Sequence, residues 1–411
     1  MSQQQYKTTP LTRATIMFPL AFVLFEFSVY ICNDLVQPAM LAITQDFGVS
    51  STWAPSSMSF FLLGGACVAA FLGPLSDRLG RKKVLLWGVA FFVLTCLAIL
   101  LTPNIESFLA LRFLQGFGLS FIAAVGYAAI QESFEERDAI KVMALMANVS
   151  LLAPLLGPII GAAMIEHVSW HWGFIGIAAL AALSWFGLKA KMPNIQISVP
   201  KKSLSYIWDD YKQVLSHRRF LLLTLSLPLI SLPLMLWIAM SPVILVERLG
   251  MSSLQYGLAQ FPVLGGLIAG NIVLLKIIDR YALGITVLYG IPLMLCGAIL
   301  VVLGMFIPTY FIPCLIVGMT LISFGEGISF SVLYRFALMS SDVSKGTVAA
   351  SVSILLMLGF FIVIEAMRLL YQAYDLWAYA LACFALLALW FTWPRQALKQ
   401  VMQERQANGE F

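Results

Sequence analysis

Charged residues are scarce in this chain: they make up 11% of its 411 residues, where a soluble domain carries about a quarter. That scarcity excludes a water-soluble globular fold. Histidine is rarer still, with three in all. His167 and His171 share an outer loop that holds no ligand set, so no metal site is expected there. The six cysteines (Cys32, Cys67, Cys96, Cys296, Cys314 and Cys383) all fall in apolar runs. None sits in a polar loop where an oxidising compartment would pair it, so no structural disulfide is expected. No cleavable signal peptide is expected either, because the first apolar run is too long and acids interrupt it. Lys345-Gly346-Thr347 lacks the preceding glycine of a phosphate loop. Nothing else suggests ATP, so the energy source should be an ion gradient. No cofactor, metal or nucleic-acid partner is expected.

What is present is hydrophobic: 61% of the chain. Apolar runs of about 20 residues, enough to cross a bilayer, recur about twelve times, the first over 15–43 and the last over 376–393. Aromatic residues crowd their ends, as interfacial belts require. The expectation is an all-α integral membrane protein of twelve transmembrane helices. One long polar stretch divides them six and six. This gives an N-terminal half over 1–190, a cytoplasmic linker over 191–218 with room for one amphipathic helix, and a C-terminal half with its tail over 219–411. An even number of spans puts both termini on one side. All but three of the 25 Lys and Arg residues fall in loops on that side. Arg248 and Arg368 lie opposite, and Arg112 lies within span four. That asymmetry places both termini in the cytoplasm. The halves also repeat: Asp77-Arg78 follows span two and Asp279-Arg280 follows span eight, although Gly284 stands two places later than Gly80 predicts. The pattern supports a transporter of two halves with its binding site in a central cavity between them.

Glu26 and Asp34 lie inside the first span, with no Lys or Arg in that span to neutralise either. A charge at such depth costs roughly 2.5–3.5 kcal/mol. A salt-bridged or protonated structural acid is one explanation; a functional pair is the other. On a helix they are separated by about 12 Å of rise and about 80° of rotation. Tyr30 falls between them, with Asn33 and Gln37 nearby. Pro38 cannot donate to the carbonyl of Asp34, which leaves that carbonyl free for a cavity or water. A group that releases its proton when a ligand arrives is the minimum part for exchange. Glu326 is a third membrane acid, in span ten between Gly325 and Gly327. Two readings stay open for it: a second-half proton or substrate site, and a hydrogen-bonded structural acid. Glu365 and Arg368 are three apart and can pair on one helix face near the outer surface. Glu132, Glu135, Glu136, Arg137, Asp138 and Lys141 form a mixed-charge loop expected to be solvated.

Three motifs add detail. The loop after span two reads Gly73-Pro-Leu-Ser-Asp77-Arg78-Leu-Gly80-Arg81-Lys82-Lys83. Its glycines permit a tight turn, and its cations suit the inner surface. Span four holds Leu111-Arg112-Phe113-Leu114-Gln115-Gly116. Arg112 needs a partner or a water-filled cavity, unless it snorkels to the outer surface. Span five holds Ala153-Pro154-Leu-Leu-Gly157-Pro158-Ile-Ile-Gly161-Ala162. Its small residues, spaced by four, allow close helix contact, and its prolines allow a bend.

The loop string matches the signature of the major facilitator superfamily, in which it latches the cytoplasmic side. That resemblance makes Gly73, Asp77, Arg78, Gly80 and Arg81 gating residues. Arg112 resembles the arginine tied to proton transfer in proton-coupled members. Pro154, Gly157, Pro158 and Gly161 resemble the antiporter motif, although Ala144, Ala153 and Ala162 stand where glycines are commoner; helix packing alone is the other reading. The run Phe25-Glu26-Phe27-Ser28-Val29-Tyr30-Ile31-Cys32-Asn33-Asp34-Leu35-Val36-Gln37-Pro38 is similar to span one of the MdfA-type multidrug/proton antiporters. Gly126 to Phe134, Met143 to Val149 and Ser344 to Val348 are similar too. The likeness covers essentially the whole chain and is closer still to the CraA-type chloramphenicol exporters. It implies the two-half fold of the superfamily around a central cavity, in the bacterial inner membrane, working as a monomer. It implies that Glu26 and Asp34 are shared by proton and drug. Tyr30, Asn33, Leu119, Tyr127, Met146, Met235, Ile238 and Phe360 match or neighbour cavity-lining positions; each could equally be packing. The function implied is drug efflux by proton antiport, conferring antibiotic resistance, with small-molecule drugs, protons and the lipid bilayer as partners. The alternative is a proton-coupled nutrient importer of the same fold. A membrane-embedded enzyme would need a catalytic cluster that is not visible, and a transport-dead sensor would bind without flux.

Overall fold

In hydrocarbon the backbone has no water to bond, so each apolar run satisfies its own N–H and C=O groups as a helix. A computed structural model describes residues 10–12, 15–194, 204–278, 280–282, 284–341 and 343–407, and among them there is no strand. Linker residues 195–203, with Lys201 and Lys202, and Asp279 of the expected repeat lie outside the described residues. So do the side chains of Ala144 and Asn148.

The helices are α1 (Met17–Asp34), α2 (Val36–Asp46), α3 (Ser56–Leu79), α4 (Arg81–Ala98), α5 (Ile105–Ser120), α6 (Tyr127–Ser133), α7 (Glu136–Ile165) and α8 (His171–Lys191). Then follow α9 (Leu204–Ser216), α10 (Arg218–Ser241), α11 (Ser253–Ile277), α12 (Ile285–Gly304), α13 (Phe311–Leu338), α14 (Lys345–Tyr374), α15 (Leu376–Leu389) and α16 (Trp393–Ala407). Among the described residues, eleven helical segments are long and apolar enough to cross a membrane. The remaining span corresponds to α7, whose apolar part is the shorter Leu152–Ile165. Its first turns carry Arg137, Asp138 and Lys141, too polar for hydrocarbon. Span four is α5 and α6 joined by a π-helical turn, Phe121–Gly126. α9 falls in the expected linker. It buries Val214 while Asp209 and Lys212 stay exposed, the amphipathic pattern anticipated there.

Contacts divide the chain into two units, 1–50 with 60–203, and 51–59 with 204–411. In the first, α1 packs on α7 and α8, and α4 on α5 and α8. In the second, α13 is the central helix, packed on α10, α11 and α12, while α10 also meets α14, α15 and α16. A first half running unbroken over 1–190 was the expectation; the stretch 51–59 groups instead with the second unit. Its short polar side chains explain why. Ser51 Oγ donates to Glu247 Oε1 at 2.6 Å, and Gln372 Nε2 donates to Thr52 Oγ1 at 2.7 Å. The Arg368 guanidinium lies 4.1 Å from the centre of the Trp53 ring. Arg368 Nε also meets Glu365 Oε2 at 2.9 Å, the pairing expected from their spacing, and Ser59 donates to the same carboxylate.

Close helix contact in the second unit depends on bare glycines. A Cβ added at Gly297 of α12 would stand 2.5 Å from the carbonyl of Gly318, and one at Gly318 of α13 would stand 2.6 Å from that of Gly297. Backbone faces backbone there, so nothing flexible can yield. Gly318→Val should therefore cost about 1–3 kcal/mol. Gly265→Val, where a Cβ meets open space, is the control. Thermal unfolding in detergent checks the pair: Gly318→Val should melt well below the parent and Gly265→Val close to it.

Candidate functional site

The acids of α1 are both buried, but each has its own surroundings. Tyr127, the first residue of α6, donates its hydroxyl to Glu26 Oε1 at 2.8 Å. Glu26 Oε2 is buried with no hydrogen-bond partner among the described residues. Tyr30 stands beside the same pair. Asp34 is the last residue of α1, and its Oδ1 accepts from Asn33 Nδ2 at 3.0 Å. Leu35 keeps helical backbone angles and its N–H bonds the Ile31 carbonyl at 2.9 Å, so α1 runs on into α2, and Pro38 denies only the Asp34 carbonyl a donor. Gln37 Nε2 reaches back to the Asn33 carbonyl at 3.3 Å.

Arg112 has no exposed surface, which rules out snorkelling. Its Nη1 donates to Gln115 Oε1 at 2.7 Å and lies 3.3 Å from Cys32 Sγ and 3.5 Å from the Cys32 carbonyl. Its Nη2 donates to Asn33 Oδ1 at 3.4 Å. The guanidinium carbon sits 4.8 Å from the centre of the Phe61 ring. Gln115 Nε2 in turn donates to the Thr95 carbonyl at 3.4 Å. So α1, α4 and α5 meet at one buried cation, and Asn33 links that cation to Asp34. Cys32 and Gln115 had not been singled out from the sequence. The signal for Gln115 was available: three residues after Arg112, it shares a helix face.

The small-residue face of α7 also meets α1. A Cβ at Gly157 would stand 2.6 Å from Asp34 Cβ and 3.0 Å from Leu35 N. One at Gly161 would stand 2.8 Å from Pro38 Cγ and closer still to the Leu35 carbonyl. The span-five motif thus seats the junction of α1 with α2. Pro154 is half-buried and Pro158 buried along the same helix.

At the other end, two sequence expectations need correction. Gly73 does not turn the chain, because α3 continues to Leu79 and carries Gly73, Asp77 and Arg78. Only Gly80 lies between helices, with φ +93°, a conformation open to glycine. Gly284 has φ +104° at the start of α12, so the worn repeat keeps the turn. The second correction concerns Glu132. It was expected to be solvated, but its side chain is only 12% exposed and clasps Arg81 with both oxygens, at 2.8 and 3.2 Å. Arg81 also pairs with Asp77 at 2.6 Å and donates to Ser76. Arg78 is exposed. In the same loop region, a hydrogen bond from Lys141 and the N–H of Leu11 hold the Asp138 carboxyl below the usual range.

In the second unit, Glu326 is buried in α13 and its Oε2 has no hydrogen-bond partner among the described residues. Met235 and Ile238 lie half-buried on α10, and Phe360 is buried on α14. Leu119 and Met146 are buried in the first unit. A buried polar chain not anticipated from the sequence runs from Trp237 Nε1 to Gln260 Oε1 at 2.7 Å, and from Gln260 Nε2 to Ser241 Oγ at 3.2 Å. Among the described residues no cluster of His, Cys, Asp and Glu could hold a metal ion.

Residues 22–364 match the model of the Major Facilitator Superfamily. The chain is 70% identical over 402 residues to the chloramphenicol resistance protein CraA of Acinetobacter baumannii, covering 98% of this chain and 97% of the relative. It is 47% identical over 364 residues to the multidrug transporter MdfA of Yersinia pestis, covering 88% and 89%. Among solved structures, the POT family transporter PepTSo superposes with a TM-score of 0.72 at 12% identity over 95% of this chain and 99% of that one. The xylose transporter XylE from E. coli superposes at 0.68, also at 12% identity, over 92% and 98%. These two show a shared fold alone.

Two measurements follow from the packing. Gly157→Ala should displace Asp34 and lower drug resistance in a sensitive host. Gly176→Ala, where a Cβ meets open space, should not. Glu132→Gln should lower the melting temperature, since it removes the charge of one of the two carboxylates that hold Arg81. A solvated Glu132 would leave it unchanged.

Proposed function

The chain belongs to the major facilitator superfamily, and we propose that it carries lipophilic drugs out of the cell in exchange for protons, by alternating access. It is a multi-pass membrane protein and a secondary transporter of drugs, not an enzyme. The observation that carries the reading is the pair of buried acids on α1, one tied through Asn33 to a buried arginine, in a chain so similar to a chloramphenicol resistance protein. Substrates are neutral amphipaths of the chloramphenicol kind and lipophilic cations. Apolar and sulfur-bearing side chains such as Met146, Met235, Ile238 and Phe360 suit the first, and carboxylates suit the second.

Drug entering from the cytoplasm displaces a proton from Glu26 or Asp34, and release outside lets the acids reload. Tyr127 orients Glu26, and Asn33 passes a change of charge at Asp34 on to Arg112. Glu326 serves as a further acid from the second unit. Arg81, held by Asp77 and Glu132, latches the cytoplasmic end. The charge asymmetry of the loops supports cytoplasmic termini, and the likeness to MdfA supports a bacterial inner membrane with one chain as the transport unit.

Labelled chloramphenicol should accumulate in everted vesicles when a proton gradient is imposed; uptake in the opposite sense would identify an importer. Asp34→Asn should uncouple proton release from drug binding, so that drug added to the purified protein no longer releases protons. Unchanged proton release in that variant would remove Asp34 from the exchange. Glu326→Gln should lower both proton release and resistance, and no change in either would return Glu326 to a structural role.

A further inference from the structure

A cleft of about 350 Å³ opens between the start of α12 and the junction of α15 with α16. That volume is within the range of small-ligand pockets, roughly 300–1,000 Å³. Its lining is of two kinds. Leu288, Pro292 and Trp390 are apolar, while Tyr289, Arg395 and Lys399 are polar or cationic. Among the described residues no carboxylate lines it. Arg395 and Lys399 are exposed, one helical turn apart on α16, and among the described residues neither pairs with an acid.

The cations are held in place from below. α16 buries Ala397, Leu398 and Val401, and Glu404 Oε2 meets Arg219 Nη1 of α10 at 2.5 Å. Arg395 lies in the first turn of α16, where no acidic residue is present. The positive end of a helix disfavours a cation there. An anion seated between Arg395 and Lys399 would satisfy both cations and the helix end. The apolar side of the cleft then asks for hydrocarbon attached to that anion. Tyr289, 75% exposed one turn into a membrane span, marks the depth at which headgroups sit.

We infer that this cleft binds an anionic phospholipid, with its phosphate between Arg395, Lys399 and the Tyr289 hydroxyl and its chains against Leu288, Pro292 and Trp390. The inference rests on the orientation proposed above, which brings this end of α12 and α16 to the inner leaflet, where basic pockets meet anionic headgroups.

Native mass spectrometry of the full chain in detergent, titrated with phosphatidylglycerol, tests it. The parent should retain one lipid that Arg395→Gln/Lys399→Gln binds about thirtyfold more weakly, the expectation for two cations near a membrane surface. Arg395→Lys/Lys399→Arg should keep most of the affinity, and drug binding by all three proteins controls for folding. Phosphatidylcholine should show no preference for the parent, and inorganic phosphate should displace nothing. Equal retention of phosphatidylglycerol by the parent and the glutamine variant would overturn the inference. So would a parent preference for phosphatidylcholine, or displacement by inorganic phosphate, which would make this a site for a free anion. Orientation fails separately: a green fluorescent protein fused to the C-terminus stays dark if that end is outside, whatever the lipid result.

Discussion

A guanidinium sealed inside an apolar bundle must be met by oxygens, and the first unit is arranged around that demand. Arg112 draws on the Cys32 carbonyl, the Asn33 amide oxygen and Gln115. Gln115 in turn ties the cluster to Thr95. Three helices are thereby fixed in rotation relative to one another, since turning any of them would leave polar groups unpaired at a cost of about 1–3 kcal/mol each. The position of Asp34 follows from that arrangement, because Asn33 bonds both to it and to the arginine.

The acids of the two units are provided for differently. Glu26 has a tyrosine hydroxyl and Asp34 an amide. Glu26 Oε2 and Glu326 Oε2 are alike in being buried without a partner among the described residues, but only Glu326 stands between two glycines. An acid with settled partners changes state by exchanging them. The cytoplasmic latch is a third arrangement, in which Arg81 is shared between a neighbour four residues back and Glu132 on another helix.

Much of the fold was legible because lipid enforces simple rules. Apolar length gave the spans, and loop cations gave the expected orientation. Glu26, Asp34 and Arg112 stood out because charge is costly in hydrocarbon. What could not be read depended on contacts between residues far apart in the chain. Glu132 looks solvated until Arg81, 51 residues earlier, is placed against it. Cys32 looks like one more apolar residue until Arg112 donates towards it. The grouping of Ser51 to Ser59 with the second unit rests on partners some 200–320 residues away. Gly73 carried the composition of a turn but lies in a helix that simply runs on. That Pro38 leaves the Asp34 carbonyl without its helical donor was legible from the sequence, since that rule is local.

The contact of α7 with the junction of α1 and α2 joins two stretches of sequence more than a hundred residues apart. Gly157 and Gly161 leave room for Asp34, Leu35 and Pro38, and for nothing larger. Neither stretch is therefore free to drift alone. A bulkier residue in α7 is tolerable only if the Asp34–Pro38 stretch shifts with it, because a Cβ at either glycine meets that stretch's backbone. The two stretches form one inherited unit. Variation among related chains should appear in both or in neither, and a substitution in α7 would then read as a transport defect without touching the drug.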